Sequence, residues 1–286
     1  MKQKNFLQSN GILKGMVILF DIGGSRMRFA RSDTLQTFTE PIIVDTPPTY
    51  EDAIVEAAQI IGNLAKGESI TAIVGGIAGA IDVQKGTLHA SPNMRAWIGK
   101  TIIKDLERLT GAKRVVLKND ADLAALGEAV AGAGKGYQYV AYLTISTGVG
   151  GAFVANQTLL ETRYGTEPGH QIINEQTGET LEEVVGGRQL EKKYGKKPKD
   201  LGKAVYDELA KRLAVGVHNI IQLWSPDVVV LGGSQMRDIS ISTIHQEVTR
   251  RNVMFPYVPD ITVSTLGSIN GIHGALAYAQ KLFLEE

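Results

Sequence analysis

Two short stretches of this chain carry the residue types that hold anions. They are Asp21-Ile22-Gly23-Gly24-Ser25 and Ser146-Thr147-Gly148-Val149-Gly150-Gly151. Each lies between apolar runs, Val17–Phe20 and Met27–Ala30 around the first, Tyr139–Ile145 and Ala152–Val154 around the second. Glycine lets a backbone amide approach an anion closely because no Cβ intervenes. Small hydroxyl residues add further donors. A single glycine pair fits a tight hairpin equally well. A third set, Gly232-Gly233-Ser234, follows another apolar run, Val228–Leu231. The three sets in matching places point to a duplicated phosphate-binding chain with a cleft between its halves.

The elements that position these turns follow from periodicity. Strands are expected over Met16–Phe20, Met27–Ser32, Pro41–Asp45, Ile70–Gly76 and Val115–Leu117. Helices are expected over Tyr50–Lys66, stopped by Gly67, over Ile98–Thr110, stopped by Gly111, and over Ala121–Ala131. In the second half, strands are expected over Tyr139–Ile145, Gly151–Ala155, Val228–Leu231 and Ile261–Thr265. Helices are expected over Leu201–Leu223, Ile239–Arg250 and Gly274–Phe283. The Lys-rich stretch Lys192–Lys203 reads as a solvated loop and helix start, and residues 1–15 as a loose leader. Alternating strands and helices give an α/β class with mixed or parallel sheets. The expected division is a smaller domain, 1–118, joined by a C-terminal helix at about 271–286, and a larger one, 119–270.

Composition removes several function classes. The 286 residues contain 30 basic and 30 acidic side chains, so no basic excess recommends nucleic acid or an anionic membrane as a partner. Absence of cysteine rules out disulfides, thiolate zinc sites and Cys nucleophiles. No apolar run is long enough to span a bilayer and no signal-peptide pattern opens the chain. A cytoplasmic location is the resulting expectation. His89, His218, His245 and His273 lack partners at metal spacing.

Common phosphate sites can be tested on spacing. Gly134-Lys135 lacks the upstream glycine and following Ser or Thr of a Walker loop. Gly148-Val149-Gly150 runs into a second strand rather than a helix, unlike a dinucleotide fingerprint. Strand–turn–strand geometry instead suits an actin-like ATPase architecture, ribonuclease H-like, in which two related α/β domains close on ATP. There Asp21 would lie near metal and phosphates. Gly23, Gly24 and Ser25 would meet the phosphates from one side, and Thr147, Gly148, Gly150 and Gly151 from the other. Gly232 and Gly233 would let adenosine lie against backbone.

Over about residues 16 to 280 the chain resembles the ROK family of repressors, open reading frames and sugar kinases. Asp21-Ile22-Gly23-Gly24-Ser25 is similar to the family's DIGGT, with Arg26 where Lys is usual. Ser91-Pro92-Asn93 resembles its sugar-binding SPN. Asn119-Asp120-Ala121-Asp122-Leu123-Ala124-Ala125-Leu126-Gly127-Glu128 resembles NDANAAALGE, its most specific stretch. Glu167-Pro168-Gly169-His170 resembles E-x-G-H, Leu181-Glu182 the segment after the zinc loop, and Gly79-Ala80-Ile81-Asp82 a backbone approach to the sugar. The resemblance implies an ATP- and Mg2+-dependent hexose kinase, homodimeric in the family manner, acting on a primary hydroxyl such as O6. It implies Asp120 as general base and Gly79, Asn93, Asn119, Asp120, Glu167, His170 and Glu182 around the sugar.

Alternatives stay open at several of these positions. Asp120 also fits a helix N-cap, His170 a packing role, and Glu183 the register of Glu182. A sugar-sensing regulator, an N-acetylhexosamine kinase and a polyphosphate donor are further readings. One departure stands out. Most members carry a C-x-C-G-x-x-G-C zinc loop before the L-E segment, whereas here His170 and Glu182 stand only twelve positions apart with no cysteine. A zinc held by His170 and three thiolates is impossible.

Overall fold

The computed structural model describes residues 16–82, 85–91, 93–163 and 165–284. The leader and Pro92 lie outside the described residues. The chain divides into two compact units, Met1–Lys118 with Ala275–Glu286, and Asn119–Gly274.

The first unit contains β1 (Met16–Ile22), β2 (Arg26–Ser32), β3 (Ile42–Asp45), α1 (Tyr50–Ala65) and β4 (Ile70–Ile77). A small hairpin, β5 (Ala80–Asp82) and β6 (Thr87–Ala90), precedes α2 (Ile102–Thr110) and β7 (Val115–Asn119). The sheet order is β3-β2-β1-β4-β7, antiparallel from β3 to β1 and parallel from β1 to β4. Even-numbered β1 residues Ile18, Phe20 and Ile22 face α1 and α2, packing with Ile54, Ala57, Ile61, Ile102 and Leu106. Each such burial contributes roughly 1.5–3 kcal/mol. The Phe20 ring lies over Gly75 of β4, where an added Cβ would come within 2.3 Å of it. Thr49 caps α1 by accepting from the Asp52 amide.

The second unit contains α3 (Asp120–Ala131), β8 (Tyr139–Ile145), β9 (Val149–Ala155), β10 (Thr158–Leu159), β11 (Ile172–Asn174) and β12 (Glu179–Thr180). It continues through α4 (Leu181–Val185), α5 (Gly187–Tyr194), α6 (Lys203–Trp224), β13 (Val228–Gly232), α7 (Ile241–Arg251), β14 (Asp260–Val263) and the start of α8 (Asn270–Leu284). Its sheet runs β10-β9-β8-β13-β14, the same plan of hairpin followed by parallel neighbours. Ala141, Leu143 and Ile145 of β8 pack with Leu213, Val217 and Ile220 of α6. No helix among the described residues is long and apolar enough to cross a membrane.

Several boundaries differ from the sequence expectation for local reasons. The helix expected from Ile98 begins at Ile102, because Gly99 takes φ 75° and Ile98 bridges to Leu88. Lys66, rather than Gly67, makes the first left-handed turn after α1, with φ 50°. Part of the expected loop 192–203 is helical, since α5 runs to Tyr194 before Gly195 stops it. Gly274 lies inside α8 rather than at its start. An added Cβ there would come within 1.8 Å of the Leu123 carbonyl, so this glycine lets α8 press on α3.

Glu128 on α3 is fully buried. Its Oε1 accepts from the Ser264 hydroxyl and the Leu266 amide, and its Oε2 from the amides of Ala133 and Thr265. The carboxylate thereby ties the end of α3 to the chain leaving β14. Glu128→Ala strands four donors, and urea unfolding is expected to show a loss of about 3–5 kcal/mol. Glu128→Gln, which keeps an acceptor, is expected to lose less.

Candidate active site

The first glycine turn is fixed from behind by one residue. The Thr46 hydroxyl donates to the Gly23 carbonyl at 2.7 Å, and the Thr46 amide to the Ser25 carbonyl at 3.0 Å. In a trans peptide the carbonyl and the following N–H point in opposite directions. Holding those carbonyls therefore turns the amides of Gly24 and Arg26 away from Thr46. Gly24 and Ser25 are exposed. Asn93 lies against this turn, its Cβ 3.0 Å from where a Gly24 Cβ would be. Gly79, at φ 131°, is pressed on Ala90 and Ser91, and the Ser91 hydroxyl donates to the Ala78 carbonyl. The hairpin thus staples the segment that presents Asn93.

The second turn is held the same way by different groups. Amides of Gly187 and Arg188, at the start of α5, donate to the carbonyls of Ser146 at 2.7 Å and Thr147 at 3.0 Å. The amides of Thr147 and Gly148 accordingly face away from α5. Gly233, at φ 93°, sits so close to the Ile145 carbonyl that a Cβ would come within 2.2 Å. The Ser146 and Ser234 hydroxyls are 3.3 Å apart, and the Gln235 amide group closes on Gly187. Turn, glycine loop and helix start form one cradle in which side chains larger than hydrogen have no room at Gly187 or Gly233. Gln235 and the α5 amides are contributions that sequence reasoning missed.

Three polar side chains gather beside that second turn. Gly169 is pressed on Val149, where a Cβ would meet the carbonyl at 2.1 Å. This close approach puts Glu167 and His170 at the turn's flank. The Glu182 Oε2 accepts from the Val149 amide at 2.7 Å and would lie 2.5 Å from a Gly148 Cβ. Glu183 is spent elsewhere, in a capping box with Thr180 that starts α4. Glu167 is exposed in part, yet desolvation raises its pKa, with His170 opposing the rise and Glu182 adding to it.

Asp120 enters from α3. Asn119 is the helix N-cap, its Oδ1 accepting from the amides of Ala121 and Asp122. Asp120 is therefore the first helical residue, and its Oδ1 accepts from the Ala121 amide at 2.9 Å. Ala121 packs on Gly150, 3.2 Å from the position of an added Cβ. The close approach seats the α3 start on β9, one residue past the turn.

The segment between His170 and Glu182 is ordered by hydrogen bonds. β11 and β12 form a hairpin. Glu179 accepts from Asn174, Thr177 and Arg212, while Gln171 bonds the Pro168 carbonyl and Asn219. No group of three His, Asp or Glu residues able to hold a metal occurs among the described residues.

Charge at the first turn comes from two arginines, Arg26 and Arg28. Arg26 is exposed and only loosely paired with Asp45, at 3.9 Å. Arg28, which sequence reasoning passed over, stands opposite Asp21 in the β1–β2 register and donates to its Oδ2 at 3.2 Å. Burial pushes the Asp21 carboxyl up to about 6, even though the Arg28 charge and hydrogen bond act to lower it. A carboxyl raised on folding takes up protons between the unfolded and folded values, so its contribution to stability falls as pH rises through that window. Asp21→Asn removes this dependence. The stability of the variant minus that of the native chain is expected to rise by roughly 2–3 kcal/mol from pH 4 to pH 7. Denaturant melts at each pH read this difference.

Known proteins share this sequence pattern and fold. The chain is 30% identical over 274 residues to a glucokinase of Thermotoga maritima, covering 81% of this chain and 86% of that protein. A ROK hexokinase from Thermus thermophilus has the same fold, with a TM-score of 0.79 and 26% identity, covering 94% of this chain and 99% of that one. A ROK glucokinase from Streptomyces griseus, solved with glucose and AMPPNP, matches with a TM-score of 0.77 and 24% identity, covering 93% and 100%. The ROK family profile matches residues 17–282. The chain belongs to the ROK family and has the α/β fold of actin-like ATPases.

Proposed function

We propose that this chain is a sugar kinase that transfers the γ-phosphoryl group of ATP to a hexose hydroxyl, O6 of a glucose, fructose or mannose type sugar. The observation that carries the reading is the assembly around the second turn. Glu167, His170 and Glu182 come to the flank of a glycine turn whose carbonyls are held away, and the α3 start that bears Asp120 packs on Gly150 through Ala121. A hexose needs several acceptors and donors, and phosphoryl transfer needs amides that meet oxyanions. The glucokinase and hexokinase relatives, and the AMPPNP in one neighbour, support sugar and ATP as the two substrates.

In this reading the sugar hydroxyl oxygen attacks the γ-phosphorus, the bond from that phosphorus to the ADP oxygen breaks, and Asp120 accepts the hydroxyl proton. Asn119 holds Asp120 in place by capping its helix. Asn93, Gly79, Asn119, Glu167, His170 and Glu182 bind the sugar. Asp21, Gly23, Gly24, Ser25 and Arg26 contact the phosphates, as do Thr147, Gly148, Gly150 and Gly151. Gly232 and Gly233 lie against the adenosine. Mg2+ would come with the nucleotide, held mainly by phosphate oxygens and water, and would neutralise charge on the phosphates. The Asp21 carboxylate is already engaged by Arg28. A cytoplasmic homodimer completes the reading, and exposed Val253, Met254 and Tyr257 offer apolar surface for it.

ADP release with Mg-ATP across a panel of hexoses and N-acetylhexosamines tests the proposal. Turnover is expected with a plain hexose. Asp120→Asn is expected to lower kcat by about 10²–10⁴-fold with a smaller change in sugar KM. Turnover only with inorganic polyphosphate would change the donor. Saturable sugar binding without turnover on either donor would replace the kinase with a sugar sensor.

A further inference from the structure

The Arg28–Asp21 pair is not accounted for by stability. Its side chains are only 15% and 14% exposed. Exchanging such a buried ion pair for apolar residues is often neutral or stabilising. The pair is also incompletely satisfied, because Arg28 Nε is buried with no hydrogen-bond partner. An unspent buried donor costs free energy until an acceptor arrives. Position says which acceptor. Residues two apart on a strand share a face, so Arg28 lies on the side of β2 that also carries Arg26, at the edge of the phosphate turn. Across the register it meets the last acidic residue before the glycines.

We propose that Arg28, held in place by Asp21, binds the phosphate chain of the donor and neutralises charge on the phosphoryl group in transfer. The guanidinium keeps its ion pair with Asp21 and spends its remaining N–H groups on phosphate oxygens. Its planar fork suits phosphate better than a point charge does. This inference rests on the kinase reading above, and it makes Arg28 rather than Arg26 the main cation of the first turn.

Calorimetry on the full chain with AMPPNP, with adenosine and with the hexose that turns over tests it, beside steady-state kinetics. Arg28→Met is expected to weaken AMPPNP binding at least about tenfold and to lower kcat by about 10²–10³-fold. Adenosine and sugar affinities are expected to stay unchanged. Arg28→Lys keeps the charge and the Asp21 pair but not the fork. Its AMPPNP binding and kcat are expected to fall between those of Arg28→Met and the native chain, at a native melting temperature. Should Arg28→Met unfold, the lysine variant alone decides. Unchanged AMPPNP affinity in the folded variant overturns the proposal, as does an equal loss of AMPPNP, adenosine and sugar, the mark of a merely structural residue. Failure of the native chain to bind AMPPNP or turn over any sugar would instead overturn the kinase reading beneath it.

Discussion

A peptide plane has its donor on one edge and its acceptor on the other, so a loop can show amides to an anion only if its carbonyls are satisfied on the far side. This constraint organises both units. In the first, one threonine supplies both bonds, through hydroxyl and amide. In the second, the first two amides of α5 do so, and their use there has a double effect. The helix start gains acceptors that it otherwise lacks, and the turn gains a fixed orientation. Two unrelated backings thus reach the same geometry on two sheets of the same plan.

Close approach is the second requirement, and it explains which glycines matter. Gly169, Gly151, Gly187 and Gly233 each stand where a Cβ would come within 2.8 Å of backbone carbonyl oxygen. They let the Glu167–His170 turn, the α5 start and the loop after β13 converge on one hairpin. Position, not flexibility, is what these glycines contribute. Asn119 shows the same economy on α3. It takes the capping task, accepting from the amides of Ala121 and Asp122 beside the residue that the sequence also offered as a cap.

Much of this was legible in the sequence. Short apolar runs located all five strands of the first sheet, and the order of motifs gave the family. Boundaries failed where a residue's conformation depends on distant backbone, as at Gly99 and Gly274. The β11–β12 hairpin was missed because its strands are two and three residues long, too short for any periodicity. Glu182 and Glu183 could be separated only once Thr180 was seen to bond the latter. Gln235 and the α5 amides were invisible because they meet the turn across tens of residues. Arg28 is different. A hairpin closing at Ile22 and Met27 must set residue 21 against residue 28, so the pair could have been found by counting across the turn rather than along it.

The hydrogen bonds that hold the β11–β12 hairpin bear on how the protein meets its surroundings. Where thiolates hold zinc, local order depends on metal supply and on keeping sulfur reduced. Here that order comes from Glu179, Asn174, Arg212, Gln171 and Asn219, none of which an oxidant or a chelator readily attacks. Peroxide stress or zinc starvation would therefore leave this corner of the molecule intact.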